Sequence, residues 1–409
     1  MKPRLIVVGA GQRGLGYARH AVRSGAADVV AVAEPDPARR AAFAHEFGIP
    51  DELAFDDFTR LRDRDRVADA AIVATQDHLH VEPAVLLAER GYHLLLEKPI
   101  APTDADASRI VAAVESAGVL AAVCHVLRYS PYTDAVKAVV DGGRLGRLVS
   151  IQHLEPVGWW HQAHSFVRGN WRSTAESSPM LLAKACHDID WLLYVSGQPV
   201  RRVSSFGGLA HFRADQRPAG AAERCLDCAI EPDCPYSAPK LYLGRERTSW
   251  PVTVVSSDPG DDAIRAALRT GPYGRCVYAC DNDVVDHQVV SLELADGATV
   301  AFTMTAFAPA EHRKTRLFGT HGYLEGDGNR LRLVDFRTGA EETIDVTGSA
   351  DEGHADGDDA LVEAFAAAVA TGDAGRLRSD PATSLAGHRV VWAAEHARLT
   401  GTVVTLPRS

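Results

Sequence analysis

Three sets of residues in this chain are spaced for chemistry. The first is Gly9-Ala10-Gly11-Gln12-Arg13-Gly14, between an apolar run at 5–8 and a helical pattern at 13–24. In a strand–turn–helix setting, one glycine makes the tight turn and a second lets backbone approach a pyrophosphate. The third lets the helix pack on the strand. The helix N-terminus then offers free N–H groups and a positive dipole end. Glu34 closes the next apolar run, about 20 residues on, where an acid accepts ribose hydroxyls and repels a 2′-phosphate. The pattern predicts an NAD site in preference to NADP, although Arg39 and Arg40, a turn further on, pull the other way.

The second set lies at 155–172, where three Trp, two His and two Arg crowd into what reads as a loop. Aromatic faces stack on the C–H faces of pyranoses, and Arg and His donate to hydroxyls or to an anionic group. Trp160, His161, His164, Arg168, Trp171 and Arg172 are therefore candidate substrate-binding residues, and the cations hint at an acidic or sulfonated sugar. The third set is Cys225, Cys228 and Cys234, with Cys276 and Cys280 further on. Thiolates so spaced can wrap a tetrahedral Zn²⁺. Structural zinc on Cys225, Cys228, Cys234 and Cys276 is the expectation, with Cys280 able to replace Cys276 and an iron–sulfur cluster as the alternative.

These residues need a scaffold, and the periodicity supplies one. Apolar runs at 5–8, 29–33, 70–74, 93–96 and 120–124 alternate with helical patterns at 13–24, 37–47, 80–90 and 103–117. Fully apolar strands separated by helices mean a parallel sheet covered on both faces. Beyond residue 130 come helices at 131–140 and 179–195. Strand patterns follow at 148–154, 200–209, 284–294, 299–307, 315–319, 331–336 and 342–346, then helices at 358–370 and 380–399. The fold class is thus α/β plus α+β. A Rossmann dinucleotide-binding domain at 1–124 precedes a domain at 125–409 built on a large, mostly antiparallel sheet. Residues 214–223 and 348–357 read as loops.

The chain has 409 residues and a formal net charge of −11, which disfavours binding to nucleic-acid phosphates. No apolar run reaches the roughly 20 residues that span a bilayer. The short apolar start runs straight into the glycine turn and reads as a first strand rather than a signal peptide, so a cytoplasmic location with reduced thiols is expected.

Leu94-Leu95-Leu96-Glu97-Lys98-Pro99 ends the fourth strand, and Thr75-Gln76-Asp77-His78-Leu79-His80 leaves the third. With the glycine turn, Glu34, Arg128-Tyr129-Ser130-Pro131 and Cys186-His187-Asp188-Ile189-Asp190, the chain closely resembles the Gfo/Idh/MocA oxidoreductase superfamily over nearly its whole length. The resemblance implies that Thr75, Gln76, Asp77 and His80 lie beside the nicotinamide ribose, and that Glu97 and Lys98 stand at the cofactor–substrate junction. It also implies that Lys98 and His187 handle the proton accompanying hydride transfer, a task for groups tuned near neutral pH. One departure stands out: dehydrogenases of this kind carry an aspartate where this chain has Ala183, followed by Lys184. Lys184, His187 and Asp188 share a helix face at i, i+3 and i+4. Lys184 is a further catalytic candidate and Asp188 a substrate contact, unless the two merely pair on a solvated face. His125 and Arg128, after the fifth strand, fall where the ligand crevice of such folds opens. Relatives run shorter, and the excess falls in a Cys-rich insert at about 211–283 that is expected to have little core of its own.

The leading expectation is NAD-dependent oxidation of a secondary hydroxyl of a pyranose or pyranoside. The superfamily also includes NAD-dependent glycoside hydrolases, which oxidise transiently, eliminate, add water and return the hydride, and the missing aspartate fits that course as well. A non-catalytic sugar or NAD sensor is the third reading. The expected partners are a small sugar or glycoside and, from the resemblance, further copies in a homodimer or homotetramer.

Overall fold

The computed structural model describes residues 1–346 and 355–407. Its first layer is built from β1 (Arg4–Val8), α1 (Gln12–Arg23), β2 (Asp28–Ala33), α2 (Pro37–Phe47), β3 (Ala54–Phe55), β4 (Ala70–Val73), α3 (Val81–Glu89), β5 (His93–Leu96), α4 (Asp104–Ala117) and β6 (Ala121–Val123). The strands form one parallel sheet in the order β3-β2-β1-β4-β5-β6. Leu5 to Val8 and Ala70 to Val73 are buried throughout, as strands covered on both faces must be. Local signals set the helix ends. Asp36 and Thr103 accept from the N–H groups of Arg39 and Asp106, and Gly48 and Gly118 leave α2 and α4 in the left-handed region.

The second layer follows α5 (Pro131–Asp141) and comprises β7 (Leu148–Pro156), α6 (Trp159–His161), α7 (Met180–Ser196), β8 (Val200–Gly208), α8 (Ala238–Leu243), α9 (Val252–Val255), α10 (Asp261–Thr270), β9 (His287–Leu294), β10 (Thr299–Thr305), β11 (Lys314–Gly319), β12 (Gly322–Gly326), β13 (Arg330–Asp335), β14 (Glu341–Asp345), α11 (Ala355–Thr371), α12 (Pro381–Thr400) and β15 (Val404–Thr405). Nine strands make one sheet in the order β14-β13-β12-β11-β7-β10-β9-β8-β15, antiparallel except between β7 and β10. Helix α7 lies over this sheet, its Ile189 and Leu192 sharing a core with Val290, Phe302 and Leu317.

Chain order and spatial grouping part company at the end. Leu361, Val362 and Phe365 of α11 complete the core beneath α1, and Leu385 of α12 packs with the residues under α3 and α4. The Rossmann layer is therefore finished by residues far beyond 124. A buried ion pair reinforces the joint: Arg128 donates to both carboxylate oxygens of Asp190 on α7, at 2.7 and 2.6 Å, and also to the carbonyl of Arg378.

Four expectations need correction. Residues 159–168 are not a loop but α6 followed by a π-helical turn at Gln162–Arg168, in which every side chain is buried. The mixture of Trp, His and Arg there follows burial against the insert, a tertiary effect that overrides local polarity. The insert is not coreless: Ala238, Leu241, Tyr242, Val252, Ile264 and Leu268 form a buried cluster across α8, α9 and α10. Strand β12, flanked by glycines and thus lacking a strand-like run, pairs with β11 and β13. The strand expected from residue 284 starts at His287, leaving Val284 and Val285 buried ahead of it. Residues 214–223 contain one short 3₁₀ turn and are otherwise irregular. Of the loop expected at 348–357, residues 348–354 lie outside the described residues, and 355–357 already belong to α11.

Truncating one partner of a buried ion pair strands the other charge. Arg128→Ala is expected to lower the unfolding free energy by about 3–5 kcal/mol, read as a lower urea midpoint.

Candidate active site

The glycine turn is cut to fit a ligand. A Cβ on Gly9, whose φ is +93°, would lie 2.7 Å from the Ala74 carbonyl oxygen, and one on Gly14 would lie 2.1 Å from that of Gly9. Those two glycines are needed for backbone packing. Gly11 is different: a Cβ there meets nothing within 4 Å, which is the open side a pyrophosphate would occupy. No side chain caps the N-terminus of α1, so its N–H groups remain available. Glu34 is buried, accepting from Ala10 N–H at 2.8 Å and Asp36 N–H at 3.0 Å, with Arg39 3.4 Å away. Each carboxylate oxygen keeps a second lone pair for a hydroxyl donor. This donor and acceptor set fits NAD.

Glu97 gathers the centre. Its Oε1 accepts from Arg13 Nε at 2.5 Å and from Tyr17 OH at 2.7 Å, and its Oε2 from Lys98 N–H at 2.7 Å. Burial alone would push this carboxyl up, but Arg13, then Lys98 and the hydrogen bonds outweigh it and hold it below the usual range. Arg13 also binds both oxygens of Asp358 on α11, at 2.8 and 2.7 Å. The cofactor helix, the Glu-Lys-Pro turn and α11 are thus joined through one guanidinium. Lys98 points to α7, where its ammonium donates to the Ala183 carbonyl at 2.7 Å. Ala183 replaces the acid expected there, and its backbone oxygen anchors the lysine. His187, buried, lies one turn further along the same face.

Lys184 and Asp188 do not pair on a solvated face. Lys184 binds Glu155 at 3.0 Å, Glu155 binds Arg313 at 3.0 Å, and Arg313 binds Asp188, which also accepts from His153 at 3.1 Å. Asp188 is fully buried and held well below the ordinary carboxylate range: burial opposes ionisation, while Arg313 and His153 more than reverse it. It serves this network rather than an open crevice. His153 and Arg313, neither anticipated from the sequence, carry no motif signal, because their partners are distant in the chain.

Of the aromatic and cationic set, His161 lies within electrostatic reach of Lys98 and Lys184. Burial, then Lys184, His164 and Lys98, push its pKa well below the ordinary value, so it is neutral at pH 7. Trp160 lies under Arg245 at 3.8 Å and beside Trp250. His164 bonds Tyr242 and stacks on Tyr273, both of the insert. Arg168 reaches the carbonyls of Arg275 and Tyr236 and the sulfur of Cys225, and Arg172 pairs with Asp281 and Glu176. The structure thus directs His164, Arg168 and Arg172 into the insert, whose fold no local pattern revealed. Trp171 donates to Asp77 at 3.3 Å, and Ser177 and Ser178 also donate to that carboxylate, at 3.1 Å each. Asp77 therefore ties the two layers together at the crevice. His80 contacts the carbonyls of Pro99, Ile100 and Thr75, bracing both loops, while Thr75 Oγ1 is buried without a partner. Gln76 is exposed, and Gln12 donates to Thr253 of α9, bringing the insert to the glycine turn. His125 is buried 3.7 Å from Asp190 and edge-on to His388, and Arg128 is committed to Asp190, so both brace the floor. The expected zinc is not supported: among the described residues no three His, Cys, Asp or Glu side chains are grouped to hold one ion.

Residues 4–125 match the model described as oxidoreductase family, NAD-binding Rossmann fold, and residues 133–227 match the GFO/IDH/MocA C-terminal domain. The chain is 25% identical over 315 residues to the oxidoreductase-class protein YteT of Bacillus subtilis, spanning 73% of this chain and 70% of that one. It is 29% identical over 209 residues to the 2,7-anhydro-N-acetylneuraminate hydratase of Mediterraneibacter gnavus, spanning 50% of this chain and 52% of the hydratase. Among solved structures, levoglucosan dehydrogenase in complex with NADH and L-sorbose has the same fold, with a TM-score of 0.73 at 17% identity and full coverage of both chains.

Gly11→Ala is expected to weaken NAD binding about tenfold, or about 1.4 kcal/mol, with an unchanged melting temperature. Gly14→Ala clashes with backbone and is expected to cost about 1–3 kcal/mol of stability. Calorimetry of binding and unfolding separates the two. A second expectation concerns acid. His388 accepts from Ile100 N–H at 3.1 Å and donates to Ser384 O, and burial pushes it down to about 3. The unfolded chain takes up this proton near the ordinary 6.5, so the stabilisation is complete above that pH. It is lost as pH falls towards 3, by about 1.4 kcal/mol per unit. His388→Gln should flatten the dependence of the urea midpoint on pH in that window.

Proposed function

The chain belongs to the Gfo/Idh/MocA oxidoreductase family, and on that premise we propose that it withdraws hydride from a secondary hydroxyl of a pyranose or pyranoside, using NAD rather than NADP. The observation that carries this reading is the Lys98 ammonium, held between the Glu97 turn and the Ala183 carbonyl, one turn from His187. NAD, when bound, accepts the hydride and its electron pair. Lys98 orients the sugar oxygen by donation and lowers the cost of negative charge there. His187 takes the hydroxyl proton as the C–H bond breaks. Glu34 receives the adenosine ribose hydroxyls, and Glu97, kept ionised, fixes Arg13 and Lys98 at the cofactor.

A second reading, NAD-dependent hydrolysis or hydration with no net redox change, is favoured by His161. It is neutral, close to Lys184 and Lys98, and so able to accept a proton from carbon beside the oxidised position. The likeness to the 2,7-anhydro-N-acetylneuraminate hydratase supports the same course. Lys184 would then steady the negative charge that develops on the neighbouring oxygen.

Incubation with NAD and aryl glycosides separates the two. NADH in proportion to product, without aglycone, supports net oxidation. Aglycone without net NADH, with solvent deuterium entering beside the oxidised carbon, supports the redox-neutral course. Neither signal with any sugar, despite NAD binding, refutes both. Lys98→Met is expected to lower kcat by at least about 10²-fold and to leave the NAD dissociation constant unchanged by titration.

A further inference from the structure

The insert contains a feature that the sugar chemistry does not use. Cys225, Cys228, Cys234 and Cys276 all line one cavity of ≈ 20 Å³, with Ile230 and Val277 among its apolar walls. Cys280 is not part of that lining, and its thiol donates to the Cys276 carbonyl. The four cysteines line one common space, and among the described residues they are not grouped to hold a single ion. One water needs about 10–15 Å³ by this measure and two or more polar partners, so the void is roomy but poorly built for water. Four sulfurs about 2.3 Å from a single zinc would enclose no such space.

A charge argument points the same way. Arg168, on the wall of this cavity, is 1% exposed. Its guanidinium meets two carbonyl oxygens and Cys225 Sγ, its Nη1 has no hydrogen-bond partner, and among the described residues it forms no ion pair with a carboxylate. Glu231, the carboxylate on the same wall, accepts from Ser237 and does not pair with Arg168, and an unpaired cation is unfavourable in such a place. A negatively charged occupant ligated by thiolates supplies the missing counter-charge. The backbone is set for it as well: the N–H groups of Tyr236 and Tyr278 donate to the sulfurs of Cys234 and Cys276, two residues earlier in each case. Hydrogen bonds to ligand sulfur are a regular feature of such centres, as is proline directly after a ligand cysteine, here Pro235.

We propose that Cys225, Cys228, Cys234 and Cys276 ligate an iron–sulfur cluster of the 4Fe–4S kind, which staples the insert and neutralises Arg168. Each thiol gives its proton to solvent as its sulfur bonds to one iron, and no change of oxidation state is required of the protein. The proposal stands apart from the sugar reading.

The full chain is purified anaerobically, reconstituted with equal amounts of ferrous and ferric iron and with sulfide, desalted, and analysed for iron, acid-labile sulfide and zinc. About four iron and four sulfide per chain are expected, with a broad visible absorbance that dithionite bleaches. Cys280→Ser should retain the cluster, and Cys228→Ser should lose it. Zinc bound stoichiometrically without sulfide would overturn the proposal, as would a reconstituted chain that holds no metal and leaves these thiols reactive towards a disulfide reagent. Stoichiometry in the unmodified chain decides the matter even if Cys228→Ser fails to fold.

Discussion

A single buried carboxylate, Glu97, sets the geometry on which the rest relies. It lies at the end of β5, where the parallel sheet opens, and its two oxygens are filled by Arg13, Tyr17 and the Lys98 N–H. An unpaired charge at that depth would be prohibitive. The positions of α1, the Glu-Lys-Pro turn and α11 are therefore coupled: Arg13 cannot satisfy Glu97 and Asp358 together unless α11 has returned to the first layer. The fold closes through electrostatics as much as through the apolar core shared by α1 and α11.

The second layer solves a related problem with a longer chain of charges. Lys184, Glu155, Arg313, Asp188 and His153 alternate in sign or donate across α7, β7 and the segment before β11. Because each charge has an opposite neighbour, the Lys184 side chain is accommodated at 14% exposure, paired with Glu155. That placement bears on chemistry. Burial first, and then Lys184, His164 and Lys98, keep the His161 imidazole neutral, and a neutral imidazole can accept a proton.

The insert changes the character of the crevice. It buries the end of the segment at 159–168, covers Trp160 with Arg245 and Trp250, and touches the glycine turn through Thr253. His164 and Arg168 are turned into the insert, against Tyr242, Tyr273, Tyr236 and Arg275.

Some of this was determined by the sequence alone. Strand–helix alternation, the glycine spacing and Glu34 announce a parallel sheet with a dinucleotide turn, because those features depend on neighbours a few residues apart. The Glu-Lys-Pro turn and the helix bearing His187 are legible for the same reason. Period and pattern also marked most strands of the second sheet, though not β12, whose glycines hide it. Only the tertiary structure decided that α11 finishes the first layer, that Arg128 and Asp188 brace the interior, and that Arg168 belongs with the cysteines. It also showed that four of those cysteines line one cavity. Each of these depends on contacts between segments distant in the chain, where packing and charge pairing, not local propensity, choose the partner.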